Sequence, residues 1–138
     1  MRKQIIALMG VGLLALAIAG CSKDKTTAAR GAATEWLKLV DSGNYSQSWD
    51  EAAVVMKTSV AKEQWQEILN QNRAPLGTLV SRKLTSAEFT ENLPGAPAGQ
   101  YVVLTYASSF EHKSSAIETA APTLDKDGRW RISVYYIK

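Results

Sequence analysis

Apolar positions along this chain recur in two different periods. Ala29, Ala33, Trp36, Leu37 and Val40 follow one another at spacings of three and four, which predicts a helix running to about Asp41. Gly43 lies just past its end, where a residue free to take positive φ closes a helix. Asn44 and Gln47 then have the spacing of an N-cap and capping box, and Trp49, Ala52, Ala53 and Met56 predict one continuous second helix. A third helix is expected after Ser59, with Ala61, Trp65, Ile68 and Leu69 on its buried side. It ends by Ala74, because Pro75 disfavours helical geometry in the residue before it. Beyond Gly77 the period shortens. Thr78 to Thr90 reads as a long strand, Leu93 to Gly99 as a turn and Tyr101 to Phe110 as a second strand. Glu111 to Ser115 reads as a polar turn, Ala116 to Leu124 as a third strand interrupted near Pro122, and Asp125 to Gly128 as a tight turn. The last strand, Arg129 to Lys138, alternates with Trp130, Ile132, Val134 and Tyr136 on one side. Helices followed by strands predict an α+β domain: three N-terminal helices packed on a curved, four-stranded antiparallel meander sheet.

The first twenty residues follow neither period. Arg2 and Lys3 precede an uncharged run from Ile5 to Ala19, and small residues lead into Gly20 and Cys21. A basic start, a short apolar run and a small-residue cut site describe an export signal, and the run is short for a membrane span of ~20 residues. Ile18-Ala19-Gly20-Cys21 resembles a bacterial lipobox, which implies cleavage before Cys21 and lipidation of its thiol. The expected organisation is a signal peptide over 1–20, a lipidated Cys21 with an extended polar tether over 21–27, and a single domain over 28–138. Ser22 after the cysteine, by resemblance to sorted lipoproteins, implies the periplasmic face of the outer membrane. The membrane is therefore the first expected partner, reached through lipid. The tether spans about 20 Å at most at ~3.5 Å per residue.

Cleavage changes the charge balance. The full chain has 16 basic and 13 acidic residues; losing Arg2 and Lys3 leaves 14 against 13, a formal charge of +1 on 118 residues. No block of like charge remains to hold nucleic acid. With one cysteine in the whole chain there is no internal disulfide, so the fold rests on its core.

Candidate chemistry is sparse. His112, the only histidine, lies in a polar turn, where a solvated residue is a better reading than a general base lacking an orienting partner. One histidine and one cysteine provide neither a metal cluster nor a nucleophilic triad, and no cofactor is expected. Asp125-x-Asp127-Gly128 opens like a calcium loop but lacks the later acidic positions, so a hairpin turn accounts for it better. Trp49, Tyr106, Trp130 and Tyr136 are candidates for a pocket between helices and sheet. The tryptophans, with Trp36 and Trp65, also lie on stripes that face the core in any case. Arg73, Arg82 and Glu118 stand beside apolar segments: they form either exposed pairs or a partly buried ion pair across the sheet.

Five separated runs carry a family resemblance. They are Trp36-Leu37 to Tyr45-Ser46-Gln47-Ser48-Trp49, Arg73-Ala74-Pro75-Leu76-Gly77 to Ser81-Arg82, Leu93-Pro94-Gly95-Ala96-Pro97, Glu118-Thr119, and Asp127-Gly128-Arg129-Trp130-Arg131 to Tyr135-Tyr136-Ile137-Lys138. The chain is similar in these to the bacterial family known as domain of unknown function 4019. The resemblance implies small secreted or lipid-anchored envelope proteins with an NTF2-like cone, and brings no catalytic residues. The expected function is a non-enzymatic binding or accessory module for an envelope protein partner. The alternatives are an enzyme or small-ligand binder using the mouth of such a cone, with Glu118, Tyr106 or Tyr136 as its polar group, and a purely structural surface protein.

Overall fold

The computed structural model describes residues 17–138, with side chains from Lys23 onward. Most of the expected export signal and the Cys21 side chain lie outside the described residues. Helix α1 spans Ala17–Asp41 and buries Ala29, Ala33, Trp36, Leu37 and Val40, the stripe its spacing predicts. Lys23 to Thr27, expected as extended tether, belong to this same helix, since nothing in the polar run breaks it. Gly43 ends it at φ 77°: the Gly43 amide donates to the Val40 carbonyl at 3.1 Å and the Asn44 amide to the Leu39 carbonyl at 2.8 Å. That pair of bonds is a Schellman closure, which satisfies carbonyls the helix would otherwise leave bare.

Closing α1 in this way removes the expected capping box. The Asn44 side chain makes no cap bond, and Gln47 donates instead to Glu51 Oε1. The second helix is also two helices, α2 over Tyr45–Asp50 and α3 over Val54–Ser59. Between them Ala53 is extended, at φ −63° and ψ 153°, and its amide donates to the Ile132 carbonyl at 2.8 Å. A bond to the edge of the sheet thus replaces the helical bond that a continuous stripe would have needed. Helix α4 spans Lys62–Asn72 and buries Trp65 and Leu69. Ala61, at its N-cap, and Ile68, 41% exposed, face solvent rather than the core. A 3₁₀ turn over Ala74–Leu76 leads to Gly77.

The sheet is a four-stranded antiparallel meander in the order β1-β2-β3-β4, over Leu79–Thr90, Tyr101–Phe110, Lys113–Leu124 and Trp130–Ile137. Strand β3 starts three residues earlier than expected, because the turn before it is only Glu111 and His112. Their amides donate to the Thr78 and Leu76 carbonyls, both at 2.9 Å. Val102, Leu104 and Tyr106 of β2 and Ala116, Glu118 and Ala120 of β3 face the helices.

Strand β4 departs from its expected alternation at one residue. Ala121 pairs with Val134 but Pro122 pairs with Ile132, so Ser133 is an inserted, bulged residue. Pro122 has no N–H to give the ladder, and the Ser133 hydroxyl donates to the Ala121 carbonyl at 2.7 Å. One inserted residue exchanges the two faces of everything after it. Tyr135 is therefore buried at 8% exposure, and Tyr136, expected inside, is 44% exposed on the outer face.

Inside, Trp36 meets Tyr135 edge to face at 5.2 Å and Trp65 at 6.2 Å between ring centres. Both buried indole N–H groups are satisfied by one residue: Trp36 donates to the Ser48 carbonyl at 2.8 Å and Trp65 to the Ser48 hydroxyl at 3.0 Å. Burying the rings without those acceptors would leave two orphaned donors.

Candidate functional site

Four charged side chains meet where α1 ends against the sheet. Asp41 closes α1, a place where the helix dipole disfavours an acid, and two arginines offset it. Arg82, on β1, donates from Nη1 to Asp41 Oδ2 at 2.8 Å and from Nη2 to Asp41 Oδ1 at 2.9 Å. Its Nε and Nη2 also donate to Glu118 Oε1 and Oε2, at 2.7 and 3.1 Å. Arg73, at the C-cap of α4, is 3% exposed. It donates from Nη2 to Asp41 Oδ1 at 3.2 Å and from Nη1 to the Gly77 carbonyl at 2.6 Å, and its guanidinium lies 4.4 Å over the Phe110 ring. Its Nε is buried without a partner.

Glu118 is fully buried and fully used. Besides Arg82, the Ser108 hydroxyl donates to Oε1 and the Tyr135 hydroxyl to Oε2, both at 2.5 Å, so four donors converge on one carboxylate. Two arginines balance two acids, and the cluster is neutral as a whole. Burial alone would depress the Arg82 guanidinium, but hydrogen bonds to Asp41 and Glu118 reverse this and hold it charged above its ordinary range. Burial, then the neighbouring Glu118 charge and the bond to it, push the Tyr135 phenol far upward, so it stays a neutral donor. Burial also raises Tyr106, against the pull of Arg82 and with the help of Glu118.

At the opposite end of the sheet lies an open groove of about 1260 Å³. One wall is α1 at Gly31, Ala32 and Glu35, with α3 at Val54 and Lys57; the other is formed by the 97–101 segment and the β3–β4 hairpin. Trp36, Ala52 and Ile132 contribute an apolar floor, while the rim carries charges of both signs. In the hairpin Arg131 donates to Asp125 Oδ2 at 2.9 Å and to Asp127 Oδ1 and Oδ2 at 2.8 and 2.7 Å, so both aspartates are answered by an arginine. Those bonds, with one from the Arg129 amide, hold the Asp127 carboxyl down at about 2. Among the described residues no three metal-ligating side chains come together.

The structure brings Arg82 to Glu118 and places Arg73 on Asp41 instead of on Glu118. It does not assemble the pocket candidates. Trp130 lines the groove, and Tyr106 is buried beside Glu118 in the core. Trp49 donates to the Val60 carbonyl at 2.9 Å between Lys57 and Lys62, and Tyr136 faces outward. His112 is exposed in the β2–β3 turn, 3.8 Å from Glu111 Oε1. Sequence reasoning missed Asp41, Ser108 and Tyr135. Pro122 was the available signal for Tyr135, since a proline inside a paired strand forces a bulge. Asp41 carried no local signal beyond an acid at the wrong end of a helix.

The sequence profile of one family, described as protein of unknown function (DUF4019), matches residues 32–135, and the chain belongs to that family. No curated protein matches it.

Proposed function

We propose that this family member is a lipid-anchored module of the cell envelope that binds or supports an envelope protein, without catalysis. In this reading residues 1–20 export the chain, lipid on Cys21 holds it to the periplasmic face of the outer membrane, and the helices close over the curved sheet as an NTF2-like cone. The observation that carries it is the division of labour between the two ends. The buried acid is saturated by four donors and has no free lone pair to act as a base, whereas the groove keeps Lys126 and Arg129 of its rim exposed and without a side-chain partner among the described residues.

The groove also bears on the choice between a protein and a small ligand. Small-molecule sites enclose roughly 300–1,000 Å³ and bury most of the ligand. At about 1260 Å³, and only partly enclosed, this groove suits a segment of a partner protein better. A photocrosslinker at Val54, exposed on the groove wall, tests this in intact envelopes. A discrete protein is expected from wild type and a much weaker product from Cys21→Ala. No reproducible product, or the same product without the anchor, would refute it.

A further inference from the structure

The course of α1 has a consequence for how the domain stands on a membrane. The expected anchor was an extended tether, which would let the domain tumble; the structure has continuous helix from Ala17 through the core-packed Ala29 to Asp41. Cys21 therefore precedes Ala29 by eight helical residues, about 12 Å along the axis. That short helical stalk fixes which end of the domain meets the lipid.

Two contacts and the lining of the groove identify the end. The Lys25 ammonium lies 5.2 Å over the ring of Phe89, at the last turn of β1 before the β1–β2 loop. The Leu124 amide donates to the Gln100 carbonyl at 3.0 Å, which joins the end of β3 to that same loop. Gly31 and Glu35 of α1 line the groove together with Pro97 and the β3–β4 hairpin. Asp41, at the other end of α1, contacts Arg82, seven residues and about 23 Å of strand from Phe89. The stalk thus leaves from the end that carries both the β1–β2 loop and the groove mouth.

The chemistry of this end suits a bilayer interface. Residues 92–101, Asn-Leu-Pro-Gly-Ala-Pro-Ala-Gly-Gln-Tyr, contain no charge, and Pro94, Pro97 and Ala98 are exposed. Tyr101 holds the loop in place: its hydroxyl donates to the Pro97 carbonyl at 2.6 Å. Beside it the hairpin presents exposed Lys126 and Arg129, which have no side-chain hydrogen bond or ion pair among the described residues. Arg131 is spent on Asp125 and Asp127. Lys23 and Asp24 on the stalk offset each other, Lys25 rests on Phe89, and Glu88 and Glu91, at the end of β1, are the acids beside the loop that have no side-chain partner among the described residues. On its hairpin side, where Lys126 and Arg129 are free, the uncharged loop has the composition of an interfacial contact with anionic headgroups.

We propose that residues 92–101 and the Lys126–Arg129 hairpin rest on the phospholipid surface that holds the anchor, so that the groove opens toward the bilayer. This rests on lipidation at Cys21, so acylation is read separately. The test uses full-length acylated protein in vesicles of phosphatidylethanolamine and phosphatidylglycerol. A single environment-sensitive label is placed at Ala98→Cys, or at Ser114→Cys on the opposite end, with quencher carried on the lipid. The native thiol is blocked by lipid, so each added cysteine is the one labelled. Quenching at 98 is expected to exceed that at 114 several-fold, and Lys126→Glu with Arg129→Glu should cut the signal at 98 several-fold, each cation contributing roughly a factor of five to surface attraction. Acylated protein quenched equally at both positions, or more at 114, overturns the proposal alone. Mass spectrometry finding a free thiol at Cys21 overturns the anchoring itself, and the orientation with it.

Discussion

Replacing Glu118 by glutamine tests whether the buried cluster holds the fold together. The change keeps shape and removes the charge. Of the four donors aimed at this side chain, Arg82 Nε and Ser108 meet one oxygen and Arg82 Nη2 and Tyr135 meet the other. A glutamine amide offers one oxygen and turns an NH₂ toward the remaining pair, so one set of donors faces another in a fully buried site. Removing one partner of a buried ion pair costs about 3–5 kcal/mol, whereas an exposed pair is worth about 1 kcal/mol or less. At ~3–5 °C per kcal/mol for a domain of this size, the melting temperature should fall by about 10–20 °C. Urea unfolding of Cys21→Ala protein, followed by tryptophan fluorescence, gives the free energy directly. The companion variant carries Glu118→Leu with Arg82→Met, and Ser108→Ala with Tyr135→Phe so that no buried hydroxyl loses its acceptor. It leaves Asp41 paired with Arg73 and should recover at least half of the loss, because an apolar pair in the same space avoids an unmatched charge. A loss below about 1 kcal/mol for Glu118→Gln would refute the reasoning, since the pair would then be worth no more than a surface contact.

Other expectations follow from single contacts. Tyr135→Phe removes one donor to Glu118 and should cost about 1–3 kcal/mol in the same urea assay, while Tyr136→Phe, on the outer face, should be neutral. Gly77→Ala should destabilise more than Gly43→Ala. Both glycines have φ near 76°, but a Cβ at 77 would come within 2.8 Å of Glu111 Oε2 and 3.0 Å of Glu111 Cβ, while at 43 it would meet nothing within 4 Å. The difference is read by comparing urea midpoints. Carboxyl NMR should show Asp127 titrating at about 2, and Arg131→Ala should return it toward its ordinary 3.8. Because the folded value lies below the ordinary one, this pairing favours the fold above about pH 4 and fades as pH falls toward 2.

The cluster at the end of α1 was half legible. Arg82 and Glu118 stand out in sequence as charges beside apolar runs, and β1 and β3, separated in the sheet only by β2, bring them together. Asp41 was invisible as a partner, because nothing local says that a helix terminus will abut β1. Arg73 shows the converse case: of the two alternatives left open for it, exposed or partly buried, its side chain takes the buried one, but the end of α4 points it at Asp41. Of the groove little beyond Trp130 was legible, because its walls come from segments up to a hundred residues apart in the chain.

Local pattern by itself determined the buried stripe of α1, its stop at Gly43, the existence and order of four strands, and the hairpin at Asp125–Gly128. Each depends on spacing or backbone freedom within a few residues, and such information is carried by neighbours in the chain. Tertiary structure alone decided the break at Ala53, the outward turn of Ile68, the exchange of Tyr135 for Tyr136 and the closing of the ion cluster on Asp41. Those outcomes depend on which strand edge or helix end lies across the gap, and a hydrogen bond or a one-residue bulge there outweighs the preference of the local sequence.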